Sequence, residues 1–319
     1  MRFLNMARSA SKARLKAQGP RPPAAVLWAL LLAAPLAGAL SLPRSAWAAE
    51  DIDKTLDMPT DGLLSVENVA GRIEFVAWDR PEVQVRGEPG RSVEKIEVST
   101  TAKGVQVRVI NRKGERRIDG TDLYFRMPEQ AGVEAEAVSS DITLSGSRGD
   151  SVTLRTVSGD VQVDASPQRI ELNSVSGDVE YEGGSARSSF ETVSGEIVIV
   201  GVSGEVSAST VSGDVSLDAG EVSRGRFEAV SGDLVLALSL ADQGRLTCDS
   251  MSGDVKLELP ASQQAEFTAQ TFSGDIRTDF GRSARVSKGP GVVLEHREGD
   301  NGARVRIETF SGDVSLRSH

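Results

Sequence analysis

The chain has 319 residues, of which 39% are hydrophobic but only 4% aromatic, with 32 glycines and a single cysteine. This length supplies a sizeable core, one cysteine excludes an internal disulfide, and the scarcity of aromatics removes the usual stacking platforms for sugars and bases. The formal net charge is −10, but residues 1–48 hold seven of the 36 Lys and Arg and none of the 46 Asp and Glu, so the rest carries 29 basic against 46 acidic residues, a net of −17, which disfavours nucleic acid and anionic membranes as partners.

Residues 1–48 read as a signal peptide. A basic stretch ending at Arg21 leads into the apolar run Ala24–Leu40, and Ala46-Trp47-Ala48 follows as a small-residue cleavage site. That order is the n-region, h-region and A-x-A signature of export, and cleavage is expected after Ala48. No cysteine follows the apolar run to accept a lipid. The expected product is exported, to the periplasm or the cell surface and beyond, with no stable membrane span once the signal is removed.

Residues 49–135 read as an antiparallel β cap. Candidate strands are Leu63–Val66, Arg72–Trp78, Glu82–Arg86, Lys95–Ser99, Val105–Ile110 and Asp122–Arg126. Turn signals separate them at Ala70-Gly71, Asp79-Arg80-Pro81, Glu88-Pro89-Gly90, Lys103-Gly104 and Asp119-Gly120, and the short connections suit hairpins.

Residues 136–319 are dominated by Val-Ser-Gly-Asp and its variants. Its acid recurs at Asp141, Asp160, Asp178, Glu196, Asp214, Asp233, Asp254, Asp275 and Asp313. The steps run from 18 to 21 residues, and the last, of 38, divides into two of 19. Such a period marks stacked repeats. Six residues before the acid stand Leu154, Leu172, Phe190, Ala208, Phe227, Cys248, Ala269 and Ile307, and alternating apolar pairs such as Val161/Val163 and Leu234/Leu236 follow it. Period-two alternation on both sides of a turn tripeptide reads as strand, corner, strand. Gly supplies positive φ at the corner, and Ser and Asp hold turns through their side chains. Ser140 replaces Gly in the first repeat, so that corner should be the least regular. A unit this small buries its apolar side only by stacking. The fold class expected is all-β: a parallel β-solenoid of 18–21-residue Ser-Gly-Asp repeats behind an antiparallel β N-terminal cap. Val202-Ser203-Gly204-Glu205 suggests a second corner on the coil. Residues 279–304 lack the motif and read as an irregular hairpin.

The residues weigh against most site chemistry. Nine in-register acids about 4.8 Å apart repel by roughly 1 kcal/mol per pair in water, tolerable if solvated or bonded to backbone N–H groups. Such a column also offers oxygen ligands to Ca²⁺, but the G-G-x-G-x-D pattern of calcium β-rolls is absent, so the acids are expected to be turn residues, with Ca²⁺ the one possible ion. Identical repeated acids do not single out the carboxylate pair a glycosidase needs. His296 and His319 are the only histidines, and neither has a triad context. Cys248 reads as a buried apolar residue, and Tyr181, Phe190, Phe227, Phe267, Phe272 and Phe310 as core packing. No catalytic, cofactor or metal residues are assigned. The expected function is a non-catalytic scaffold binding a cell-envelope protein or glycan; the alternatives are a carbohydrate-active β-helix enzyme and a Ca²⁺-binding repeat protein.

Gly71–Asp79 (GRIEFVAWD), the Leu123–Pro128 strand ending in Met-Pro, and the ladder closing with Thr309-Phe310-Ser311-Gly312-Asp313-Val314 together resemble the bacterial DUF4097 family, described as candidate adhesins of repetitive β fold. The resemblance covers roughly residues 60–319. It implies a β-solenoid in a cell-envelope setting and carries over no catalytic residues.

Overall fold

The computed structural model describes residues 51–115, 117–285, 290–299 and 302–319. The expected signal peptide lies outside the described residues, as do residues 286–289, 300 and 301 of the expected hairpin. All regular elements among the described residues are strands, and no helix there is long and apolar enough to cross a membrane.

The N-terminal strands are β1 (Ile52–Asp57), β2 (Leu63–Trp78), β3 (Glu82–Glu88), β4 (Val93–Thr101), β5 (Gly104–Asn111) and β6 (Thr121–Pro128). The ladder comprises β7 (Gly132–Ser145), β8 (Ser151–Ser158), β9 (Val161–Asp164), β10 (Arg169–Ser176), β11 (Val179–Glu182), β12 (Arg187–Ser194), β13 (Ile197–Val200), β14 (Gly204–Ser212), β15 (Val215–Ser231), β16 (Leu234–Ser252) and β17 (Val255–Leu259). The C-terminal strands are β18 (Ala265–Ser273), β19 (Ile276–Thr278), β20 (Ala284–Arg285), β21 (Val292–Glu298), β22 (Ala303–Ser311) and β23 (Val314–Ser318).

Two parallel ladders run through the repeats. Before the corner, β7, β8, β10, β12, β14 and the latter halves of β15 and β16 pair in sequence. After it, the end of β7 pairs with β9, then β11, β13, the starts of β15 and β16, and β17. The register aligns the residues the period predicts: Leu154, Leu172, Phe190, Ala208, Phe227 and Cys248 are successive Cα partners, all buried. Facing them are Val161, Val179, Ile197, Val215, Leu234 and Val255, also buried. Each fully buried Val, Leu, Ile or Phe is worth roughly 1.5–3 kcal/mol, and the alternation places several such residues in the coils of the ladder. Tyr181 fits among them because its hydroxyl donates to the Ala165 carbonyl at 2.9 Å. Burial pushes the Cys248 thiol pKa up, so it stays protonated and unreactive.

The corner is closed by glycine. Gly177 has φ +142°, and a Cβ there would lie 2.2 Å from the Gly159 carbonyl oxygen. The same approach recurs from Gly195 to Gly177 and from Gly253 to Gly232. Ser140, expected to make the least regular corner, makes no break: β7 passes straight through it, with its side chain buried beside Asn68, whose Nδ2 donates to its Oγ at 3.4 Å. The second corner suggested at 202–205 lies between β13 and β14, where Val202 is buried and Gly204 has φ +75°.

Both ends depart from sequence order. The step of 38 residues is not two successive coils. β22 pairs with β16 on one side and β18 on the other, and β23 lies between β17 and β19. The last repeat is therefore inserted between the coils of Asp254 and Asp275, and Ile307 pairs with both Cys248 and Ala269. Residues 279–304 contribute a two-residue antiparallel pairing of β20 with β21, but β21 mainly runs antiparallel along the outer edge of β18.

At the other end, β2 spans both ladders and pairs in parallel with β7, β5 and β6. Only β1, β3 and β4 run antiparallel to their neighbours, in the pairs β1–β3, β3–β6 and β4–β5. The 49–135 region is thus half parallel. The turn at Asp79-Arg80-Pro81 does not close a hairpin, because β6 lies between β2 and β3.

Gly177→Ala is expected to destabilise the protein by at least about 1–3 kcal/mol, the cost of a glycine-only backbone region alone, with the Cβ clash added. Urea unfolding checks it; an unchanged midpoint would show that the coils part there at no cost.

Candidate binding surface

The corner acids form a bonded column. The backbone N–H of each acid donates to the carboxylate of the acid in the neighbouring coil: Asp160 N–H to Asp141 (3.2 Å), Asp178 to Asp160 (3.1 Å) and Glu196 to Asp178 (3.0 Å). It resumes with Asp233 N–H to Asp214, Asp254 to Asp233 and Asp313 to Asp254 (2.8 Å each), and ends with Asp275 to Asp313 (2.9 Å). These bonds give the acids a structural role, since a carboxylate accepting a backbone N–H offsets repulsion from its neighbours. The column skips one step: no such bond joins Glu196 to Asp214, because the extra methylene changes its reach. The Glu196 carboxyl is held above the usual carboxylate range, first by desolvation and then by Asp178, Asp214 and Glu180. Among the described residues, no group of three or more His, Cys, Asp or Glu is placed to hold a metal.

A second column was not recognised in the sequence as a surface. Three residues before each acid, Val138, Val157, Val175, Val193, Val211 and Val230 are each 45–49% exposed. The column continues through Met251 (60%), Phe310 (58%) and Phe272 (44%). Phe272 and Phe310, expected in the core, are therefore at the surface. The reason is local: the alternation runs unbroken to the end of the strand, so the residue before the column is buried (Thr156, Thr192, Thr210 and Thr309), and the column residue, an odd number of positions from the buried Leu154, Phe190, Ala208 and Ile307, faces outward. The inserted last repeat brings Phe310 against Phe272, with ring centroids 4.9 Å apart and planes 7° from parallel.

Beside this column lies a groove. One stretch has a volume of about 960 Å³, with Val211, Val230, Met251, Phe310 and Phe272 on one side and Glu228, Asp249 and Glu308 on the other. A further stretch of about 640 Å³ runs past Val157, Val175 and Val193, and shares Thr192, Ser209 and Val211 with the first. Glu228, Asp249 and Glu308 are successive partners in β15, β16 and β22. The remaining residues singled out in the sequence lie elsewhere. Cys248 is in the core. His296 is on β21, its Nε2 2.9 Å from Glu298 Oε2 and its ring stacked on Phe267. His319 is exposed, its backbone bonded to Leu259 and Ala261.

An all-β stack of mostly parallel repeats, bearing an exposed apolar column and a groove at its corners, is a solenoid-like repeat protein. The chain belongs to the DUF4097 family, whose Toastrack model matches residues 89–222 and 201–317. No curated protein matches it. Among solved structures it is similar to a candidate adhesin from Parabacteroides distasonis, at 13% identity and TM-score 0.43, covering 85% of this chain and 99% of that one. A candidate adhesin from Bacteroides fragilis aligns at 11% identity and TM-score 0.40, covering 84% and 97%. A candidate cell adhesion protein from Clostridium sporogenes aligns at 9% identity and TM-score 0.21, covering 85% and 100%.

The broken step at Glu196 makes a pH-dependent prediction. A carboxyl whose folded pKa lies above its unfolded value contributes stability that is fully present below the unfolded pKa, about 4.3 for Glu, and lost as pH rises through the folded pKa. Glu196→Gln should therefore exceed the parent in stability at pH 7 by a margin that shrinks towards pH 4, as read by urea unfolding at both. A margin that grows as the pH falls would contradict the assigned cause. Glu196→Asp should restore the missing bond and raise stability by about 0.5–1.5 kcal/mol.

Proposed function

We propose that the protein is an exported, non-catalytic scaffold of the cell envelope, adhesin-like in that it binds a protein or glycan partner along its corner groove. The exposed apolar column carries this reading. A soluble chain gains nothing from turning Met251, Phe272 and Phe310 to water, and a contiguous apolar patch rimmed by polar groups marks an interaction site. The core does not require these residues, whose neighbours on either side already complete the corner. The basic and then apolar order of residues 1–48, with its cleavage site, supports export to the periplasm or surface. The bonded acid column supports a rigid edge rather than a reaction centre, since its carboxylates repeat and hold the backbone of the next coil.

The test is capture from cell-envelope fractions by immobilised protein, with and without Ca²⁺, comparing the parent with Phe310→Ser and Met251→Ser. The expected result is a reproducible protein or glycan retained by the parent and reduced at least about tenfold by either substitution, as for a central interface residue. Equal capture by parent and variants would remove the groove from the reading. Hydrolysis of an added polysaccharide, lost on substitution of one carboxylate, would replace the reading with an enzymatic one.

A further inference from the structure

We propose that the part of the groove bounded by Met251, Phe310 and Phe272 binds an extended basic polypeptide, whose cationic side chains meet Glu228, Asp249 and Glu308. This inference rests on the binding-scaffold reading and names the chemistry of its partner.

The acidic wall is under-neutralised. Glu228 is paired with Arg226 at 2.5 Å and Glu308 with Arg306 at 2.6 Å, each arginine two residues back on the same strand. Asp249, between the two glutamates in the stack, has no hydrogen bond or ion pair among the described residues. Desolvation raises its pKa first, and Glu308 and Glu228 raise it further; Arg226 and Arg306 act only in the opposite sense. A cation entering from the groove would relieve all three carboxylates at once.

The apolar wall favours a polypeptide over a sugar. Phe272 and Phe310 are stacked on each other, so a ring face of each is already covered, and flat pyranose stacking is correspondingly restricted. Met251, beside Phe310 in the stack, offers an adaptable thioether surface for aliphatic side chains.

The spacing fits an extended chain lying along the stack. Glu228 and Glu308 are two coils apart, about 9.6 Å at the usual strand separation. In a polyproline-II segment, side chains three residues apart recur on one side every ~9.3 Å. Lysines or arginines at i and i+3 would thus reach Glu228 and Glu308, with Asp249 between them. A second copy of this chain fits worse, because its own apolar column brings the same three carboxylates against these.

Fluorescence anisotropy with a labelled Lys-Leu-Pro repeat peptide of about twelve residues tests this, with the Glu-Leu-Pro repeat as control. The expected result is saturable binding of the lysine peptide only, weakened at least about tenfold by Asp249→Lys and by raising NaCl from about 50 to about 500 mM, and weakened by Phe310→Ser. Asp249→Asn provides a milder variant, and circular dichroism checks that each variant is folded. The inference is overturned if the two peptides bind equally, or if Asp249→Lys leaves the affinity unchanged. It is also overturned if the protein dimerises through the groove and Phe310→Ser makes it monomeric. If the lysine peptide fails while Phe310-dependent capture from envelope fractions persists, the basic-polypeptide inference falls and the scaffold reading stands; if both fail, both fall.

Discussion

The structure depends on the approach of one coil's corner to the next. At Gly177 the backbone comes so near the Gly159 carbonyl that a Cβ would sit 2.2 Å from the oxygen. This distance lets the Glu196 N–H reach Asp178 and the Asp178 N–H reach Asp160 in the neighbouring coil. Glycine and aspartate are therefore two halves of one device. Glycine removes the atom that would hold the coils apart, and the carboxylate accepts a donor from the coil stacked against it. Surface ion pairs such as Arg187–Glu205–Arg224, which also cross coils, are exposed and worth at most about 1 kcal/mol each.

A stack of parallel strands leaves an open edge at each end, and open edges invite aggregation. This chain covers both with antiparallel strands, β4 and β3 with β1 at the start, and β21 at the finish. Covering them requires the chain to double back. β2 lies between β7 and the β5–β6 coil, and β22–β23 lies between the coils of Asp254 and Asp275. The inserted strands match their neighbours residue for residue because they carry the same alternation, so the core column stays continuous through Cys248, Ile307 and Ala269.

The same insertion shapes the outer surface. Sequence order places Phe310 after Phe272 by a long interval, but stacking order makes Met251, Phe310 and Phe272 neighbours and sets Glu308 beside Asp249. The more voluminous and more acidic of the two stretches of the groove thus arises where the chain leaves sequence order. Upstream, the polar side of the groove mixes Arg155 with Glu136 and Glu191, and its apolar side is all valine.

The sequence by itself determined the strand-corner-strand unit, its period, the core column and the turn role of the acids. These follow from local rules: period-two alternation, a glycine that tolerates positive φ, and carboxylates that bond backbone. The tertiary structure alone decided that the last repeat lies between the coils of Asp254 and Asp275, because a strand with the same alternation can pair with any of its fellows and sequence order does not say which. It also decided which of the outward apolar residues meet. Phe272 and Phe310 carry the same residue type as Phe190 and Phe227 but stand on the outward phase of their strands, and only the insertion of the last repeat between two earlier coils sets their rings against each other, because they are far apart in the chain and adjacent only in the stack.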